Sequence, residues 1–153
     1  MDDKTELCWR MYAENCVQGR HHETMRAALT TLIAAIAAGA LGLLKADHPI
    51  CSQLPLAVLV IALGLFGAFV SRKHYERFAL HMRRASAYRR KIDELVPGVE
   101  LTVTKLSADK RHNDRFKRFS RVSLSWLWSS INLAVMGVGI AAVVFIQRGA
   151  QCW

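Results

Sequence analysis

Apolar and polar positions are segregated along this chain rather than mixed. Three stretches contain no Asp, Glu, Lys or Arg: Ala27 to Leu44, Ile50 to Val70 and Leu124 to Ile146. A bilayer core of about 30 Å takes about 20 apolar residues in a helix, within a range of about 17 to 25. The second and third stretches meet that length, and the first sits at its lower limit. A soluble bundle would keep a polar face on helices this long. The pattern therefore predicts three membrane-spanning helices.

The helical pattern does not stop where the apolar stretches stop. No Pro or Gly separates Val70 from Ser71 and Arg72. Beyond them Tyr75, Phe78, Met82, Ala85, Ile92 and Leu95 recur at spacings of three, four or seven, one stripe on a helix. Pro97-Gly98 ends it. A helix from about Leu54 to Val96 would be about 60 Å long, twice the membrane core. Ahead of the first stretch, Trp9, Tyr12, Ala13, Cys16 and Arg20 form a similar stripe, with Gly19 its weak point. Asp47, His48 and Pro49 read as a tight turn, which makes the first two helices an antiparallel hairpin. At equal rise, residues whose numbers add to roughly 98 share a level. Glu14 then lies level with Arg84, and an ion pair from Glu14 to Arg83 or Arg84 is expected.

The fold expected is all-α: an integral membrane protein of three long helices, a hairpin plus a third span, extending into a cytoplasmic helical bundle. Residues 1–153 form a single membrane domain. Its parts are 4–26 (cytoplasmic part of the first helix), 27–44 (first span), 50–70 (second span), 71–96 (cytoplasmic extension), 97–108 (linker), 109–123 (approach of the third helix) and 124–146 (third span). Within the linker, LTVTKL alternates apolar and polar, but a lone strand has no partner. An extended segment is the expected form.

Charge sets the orientation. The 153 residues carry 21 Lys and Arg against 12 Asp and Glu, a net +9, although 52% of the chain is apolar. Between Arg72 and Arg121 there are 15 Lys and Arg against 6 acids. The stretch between the first two spans has only Lys45, and the tail only Arg148. Lys and Arg beside membrane ends favour the cytoplasm. The N-terminus and residues 72–123 are thus expected inside, and Lys45 to Pro49 and the C-terminus outside. The opening residues, with Asp2, Asp3, Glu6, Glu14 and Glu23, do not read as a secretory signal. Anionic lipid accounts for the basic segment, and no nucleic-acid motif accompanies it.

Little in the chain reads as catalysis. Cys8, Cys16, Cys51 and Cys152 form no CxxC pair. Cys8 and Cys16 should be reduced thiols inside. Free thiols are the favoured reading of Cys51 and Cys152, with a disulfide between them as the alternative. His22-Glu23-Thr24-Met25-Arg26 has Arg where a zinc protease motif needs its second histidine, so no metal is expected. No phosphate loop or nucleophile elbow occurs, and neither an enzyme nor a cofactor is expected.

No ionisable residue falls inside a span, which counts against a pump or coupled carrier. The polar groups there include Thr30, Thr31, Ser129 and Asn132. They are candidates for a pore or gate; a hydrogen bond between helices is the plainer role of Asn132. Arg20, His21, His22, Glu23, Arg26 and His74 gather at the cytoplasmic mouth, where salt bridges and capping are the structural alternative. Arg83, Arg84, Arg89 and Arg90 are candidates for binding a partner or anionic lipid. Ala34-Ala38-Gly42, Ala35-Gly39, Gly64-Ala68 and Gly137-Ala141 have the small-xxx-small spacing that lets helices approach closely. With three helices per chain, some of these faces are expected to meet another subunit of a homo-oligomer.

Three segments carry a resemblance: WRMYAENCVQGRHHETMRAA, RKHYERFALHMRRASAYRRKIDELVPG and FSRVSLSWLWSSINLAVMGVG. Together they resemble the small bacterial membrane effectors of the SLATT type, over most of the chain. That resemblance implies a transmembrane hairpin with a helical cytoplasmic extension, in the bacterial inner membrane. It also implies a pore-forming or membrane-disrupting effector of an antiviral conflict system, silent until a cytoplasmic sensor or signalling partner releases it. Some relatives have two membrane helices, so the third span is a departure. A gated oligomeric channel is the leading expectation. A non-conducting scaffold docking a partner through its basic helices is the alternative, and a membrane hydrolase using His22 and Glu23 a distant third.

Overall fold

The computed structural model describes residues 2–44 and 51–150. Among them there is no strand, and four α-helices hold most of the described residues. They are α1 (Asp3–Gly42), α2 (Leu54–Leu95), α3 (Leu101–Arg115) and α4 (Leu124–Ala150). Short 3-10 turns occupy Cys51–Gln53 and Phe119–Arg121. Three helices, α1, α2 and α4, are long and apolar enough to cross a membrane. The expected turn at Asp47 to Pro49 lies outside the described residues, as does Cys152. Cys51 is disulfide-bonded, which corrects the free-thiol reading at that position.

α1 and α2 span 40 and 42 residues without interruption, about 60 Å each. Their inward positions keep a heptad spacing. On α2 these are Ala57, Val60, Gly64, Gly67 and Ser71, then His74, Phe78, His81, Ala85 and Ile92. That is the 3,4 alternation of a coiled-coil seam. On α1 the seam runs through Thr5, Tyr12, Asn15, Gly19, His22 and Arg26, and continues at Thr30, Ile33, Ala37 and Ala40. The steps from His22 to Arg26 to Thr30 are both four residues, a stutter that locally unwinds the pair. The stripe expected ahead of the first apolar stretch is thereby rotated: Trp9 and Arg20 are exposed, and Asn15, Gly19 and His22 turn inward. Polar residues fill this part of the seam, so an apolar stripe misreads it.

The chain divides into two compact units. One comprises Met1–Thr24 and His74–Ser123, the other Met25–Lys73 and Leu124–Trp153.

In the first unit α1 and α2 pack antiparallel. His22 meets His74 and Asn15 meets His81, each within two residues of the level expected from equal rise. A Cβ on Gly19 would come 2.5 Å from the Met82 methyl and 3.6 Å from the Phe78 ring. The expected ion pair from Glu14 to Arg83 or Arg84 is not made: Glu14 accepts a hydrogen bond from Gln18 at 2.7 Å instead. Glu14, Arg83 and Arg84 are all exposed, where water competes with a pair that has two long side chains to order.

α3 corrects the expected linker. Gly98, at φ 94°, and Glu100, at φ 50°, turn the chain after α2. The Asp93 carboxylate then accepts from the N–H groups of Leu101 (2.7 Å) and Thr102 (2.9 Å). Those are orphan donors of a new helix start, which a carboxylate satisfies and the helix dipole favours. LTVTKL therefore continues as helix. The third helix expected from near Asp109 is also not continuous. α3 ends at Arg115, the chain passes through Phe119–Arg121, and Val122 is extended at φ −84°, ψ 113° before α4 begins at Leu124. Arg115, Lys117, Arg118 and Arg121 are crowded here, and like charges one turn apart disfavour a helix.

In the second unit Ala37, Ala40 and Val60 form a small core, covered by Leu41, Leu56 and Val135. α2 and α4 touch backbone to backbone. A Cβ on Gly64 would lie 2.5 Å from the Met136 nitrogen and 2.8 Å from the Asn132 carbonyl oxygen. Across the same contact a Cβ on Gly139 would lie 2.8 Å from the Ile61 nitrogen. Large apolar side chains face outward from all three helices, among them Leu32, Leu65, Phe66, Phe69, Trp126 and Phe145.

Candidate functional site

Each unit holds a layer of polar side chains at seam positions that would ordinarily be apolar.

In the first unit the layer is built from three histidines. His22 lies on α1, and His74 and His81 lie two turns apart on α2, so one face of α2 presents both. The His22 and His74 Nδ1 atoms are 3.2 Å apart. One ring donates and the other accepts, so at least one of them is neutral. The His81 ring stacks on His22 at 5.5 Å, with 24° between planes. His81 Nδ1 donates to the Asn15 side-chain oxygen at 3.1 Å, and the Asn15 amide donates to the Met11 carbonyl at 2.8 Å. Burial first, then the positive charge available to His74, His81, His21 and Arg77, pushes the His22 imidazole below its usual range. The layer is thus bonded while neutral and self-repelling when protonated.

In the second unit the layer joins α1 to α4. The Asn132 amide is fully buried and donates to Thr30 Oγ1 at 3.3 Å and to the Trp128 carbonyl at 3.0 Å. Gly67 makes room for it, since a Cβ there would overlap the Asn132 side chain. One turn before Thr30, the buried Arg26 guanidinium lies over the Trp128 ring at 5.9 Å. That is cation–π distance, which offsets part of the cost of removing the charge from water.

The expected site residues therefore separate. Thr30 and Asn132 come together but are buried against each other, whereas Thr31 is exposed and Ser129 half-buried. His22 and His74 come together, Arg20 and His21 remain exposed, Glu23 is half-buried, and Arg26 is buried against α4. Arg83, Arg84 and Arg90 are exposed, and Arg89 alone is half-buried. Among the described residues no group of three or more His, Cys, Asp or Glu is arranged to hold a metal.

Sequence reasoning missed a pocket in the first unit. It encloses about 410 Å³ between Trp9 and Tyr12 of α1, Arg89 and Ile92 of α2, and Leu101, Thr104, Lys105 and Ala108 of α3. The i, i+3, i+4, i+7 spacing of the α3 residues was the available signal. It was hidden because LTVTKL also alternates.

No protein-family model, curated protein or solved structure matches the chain.

Proposed function

We propose that this chain is a three-pass integral membrane protein, with its N-terminus and residues 72–123 in the cytoplasm, that assembles as a homo-oligomeric channel or pore-forming effector gated through its cytoplasmic helices. The observation that carries the reading is the run of large exposed apolar side chains on three helices of spanning length. Such a surface is stable in lipid and a liability in water. The charge asymmetry supports the orientation. The Cys51 disulfide supports an oxidising compartment at that end of α2.

Assembly is supported by the small residues that find no neighbour among the described residues. A Cβ on Gly39, Gly42 or Gly137 would meet nothing within 4 Å, in contrast to Gly64, Gly67 and Gly139. Open small-residue faces in lipid suit a second copy. Because Thr30 and Asn132 hydrogen-bond each other, a conducting path would run between subunits, past exposed positions such as Thr31, and gate by dewetting. The histidine layer offers the cytoplasmic helices a second arrangement. The SLATT-type resemblance of the three segments adds the bacterial inner membrane and an antiviral setting to the proposal.

The test is ion flux from purified protein in liposomes, alone, on acidification, and with co-expressed partner proteins. Flux that depends on Thr31 supports the reading; a sealed membrane under every condition overturns conduction. A second reading, a non-conducting scaffold, is favoured by the exposure of Arg83, Arg84 and Arg90, to which no acid is paired among the described residues. Replacing all three with Glu should then abolish binding of a cytoplasmic partner while the oligomer still assembles.

A further inference from the structure

The pocket between α1, α2 and α3 has the makings of a ligand site. Its volume lies within the range of small-molecule sites, about 300–1,000 Å³. One wall is flat and aromatic: the Trp9 and Tyr12 rings stack with centroids 5.4 Å apart and 28° between planes. Ile92, Leu101 and Ala108 add apolar surface, and Thr104 adds a hydroxyl.

Two cations line the same space. The Arg89 Nε is buried and has no hydrogen-bond partner. The acid one turn further along α2 is Asp93, the usual partner for such an arginine. Its oxygens accept from the Leu101 and Thr102 N–H groups, capping α3, and it attracts the Arg89 charge without accepting a hydrogen bond from Arg89 Nε. A buried guanidinium nitrogen left without an acceptor is costly, and an anion in the pocket would supply one. Among the described residues Lys105 pairs with the exposed Asp109, one turn along α3, and its ammonium keeps further donors for a ligand. Burial and the Cys16 thiol push the Tyr12 hydroxyl up, which keeps it a neutral donor.

We propose that this pocket binds a small organic anion carrying a planar ring, with the ring against Trp9 and Tyr12 and the anionic group on Arg89 and Lys105. The ligand comes from solution rather than from lipid. Along α1, Trp9 is about 27 Å from Ala27, and along α2 Arg89 is about 28 Å from Val70. This choice of source rests on the reading of residues 27–44 and 50–70 as spanning segments; the binding chemistry does not.

The probes are 1-naphthyl phosphate, inorganic phosphate, 1-naphthol and dihexanoylphosphatidylglycerol. Each is titrated calorimetrically into the detergent-extracted full-length protein. 1-Naphthyl phosphate is expected to saturate one site per chain and to bind at least about tenfold more tightly than either half alone, because ring stacking and charge-assisted bonds act together. Arg89→Gln and Lys105→Gln should each weaken it about tenfold, while Arg111→Gln, exposed and outside the pocket lining, leaves it unchanged. Helix content by circular dichroism verifies that Arg89→Gln folds, and the exposed Lys105 provides a variant free of that concern. Equal affinity in wild type and both pocket variants, or no saturable binding, overturns the site. Tighter binding of the short-chain lipid than of naphthyl phosphate overturns the solution source while leaving the spanning segments as they are.

Discussion

The two units fill their helix contacts differently. In the first, His22, His74, His81 and Asn15 meet in hydrogen bonds and ring stacks. In the second, Ala37, Ala40 and Val60 form an apolar contact, and Gly64 and Gly139 bring backbones together. The first arrangement depends on protonation state and has adaptable side chains. The second depends on shape, and a backbone contact cannot yield. Under the proposed topology the second unit lies in lipid, where burying more apolar surface gains little, so close fit and buried polar contacts such as the Asn132 amide hold it. A helix surrounded by water can hold a polar seam because its separated state is also solvated.

Four measurements would break or sharpen that contrast. The largest effect should come from Gly64→Val, which forces a side chain onto the Met136 and Asn132 backbone. We expect a loss of about 3 kcal/mol or more, read as a lower melting temperature in detergent. Gly137→Val provides the control, since a Cβ there would meet nothing within 4 Å among the described residues. It should leave monomer stability within about 0.5 kcal/mol yet reduce the oligomer mass measured by light scattering. Equal effects of the two substitutions would erase the distinction between used and open glycine faces.

Asp93→Ala should loosen the start of α3, as loss of a helix cap does, seen as faster amide exchange across Leu101–Arg115. The Thr102 side chain, followed by the N–H groups of Thr102 and Leu101, holds the Asp93 carboxyl below the usual carboxylate range. A depressed folded-state value means the stabilisation is present above the unfolded-state value and is lost as pH falls through the folded one. Protection of α3 should therefore decline in acid and be insensitive to pH near neutrality.

Asn132→Leu removes one buried amide, with an expected cost of about 0.6 to 1.7 kcal/mol, and should leave exchange in the first unit unchanged. The histidine layer should show the smallest effect and a sign that can be stated in advance. His22 is pushed down in the folded state, so the unfolded chain binds more protons just below about pH 6.5. Stability of the first unit should rise with pH through that window, and His22→Gln should flatten the slope. A slope of opposite sign would mean that the layer holds its proton rather than rejecting it.

Much of the hairpin was legible in advance because its signals are local. Continuity past Val70 follows from the lack of any breaker, and the level of His74 opposite His22 follows from equal rise on the two antiparallel helices. The candidate site was legible only in part. Proximity of His22 and His74 can be counted along the chain, but the burial of Arg26 against Trp128 depends on α4, which arrives from about 100 residues away. α3 was misread because an alternating hexapeptide carries both periods, and the deciding groups, the two N–H donors held by Asp93, belong to another helix.

By itself, then, the order of residues determined three apolar helices of spanning length, the continuation of the first two beyond their apolar stretches, and the pairing level of those two. These depend on composition and on a constant rise per residue. The tertiary structure alone decided which glycines are in contact, which polar side chains are withdrawn from the surface, and where a pocket opens. Each of those outcomes depends on the rotation of one helix about its axis against another, and that rotation is selected by the fit of side chains far apart in the chain.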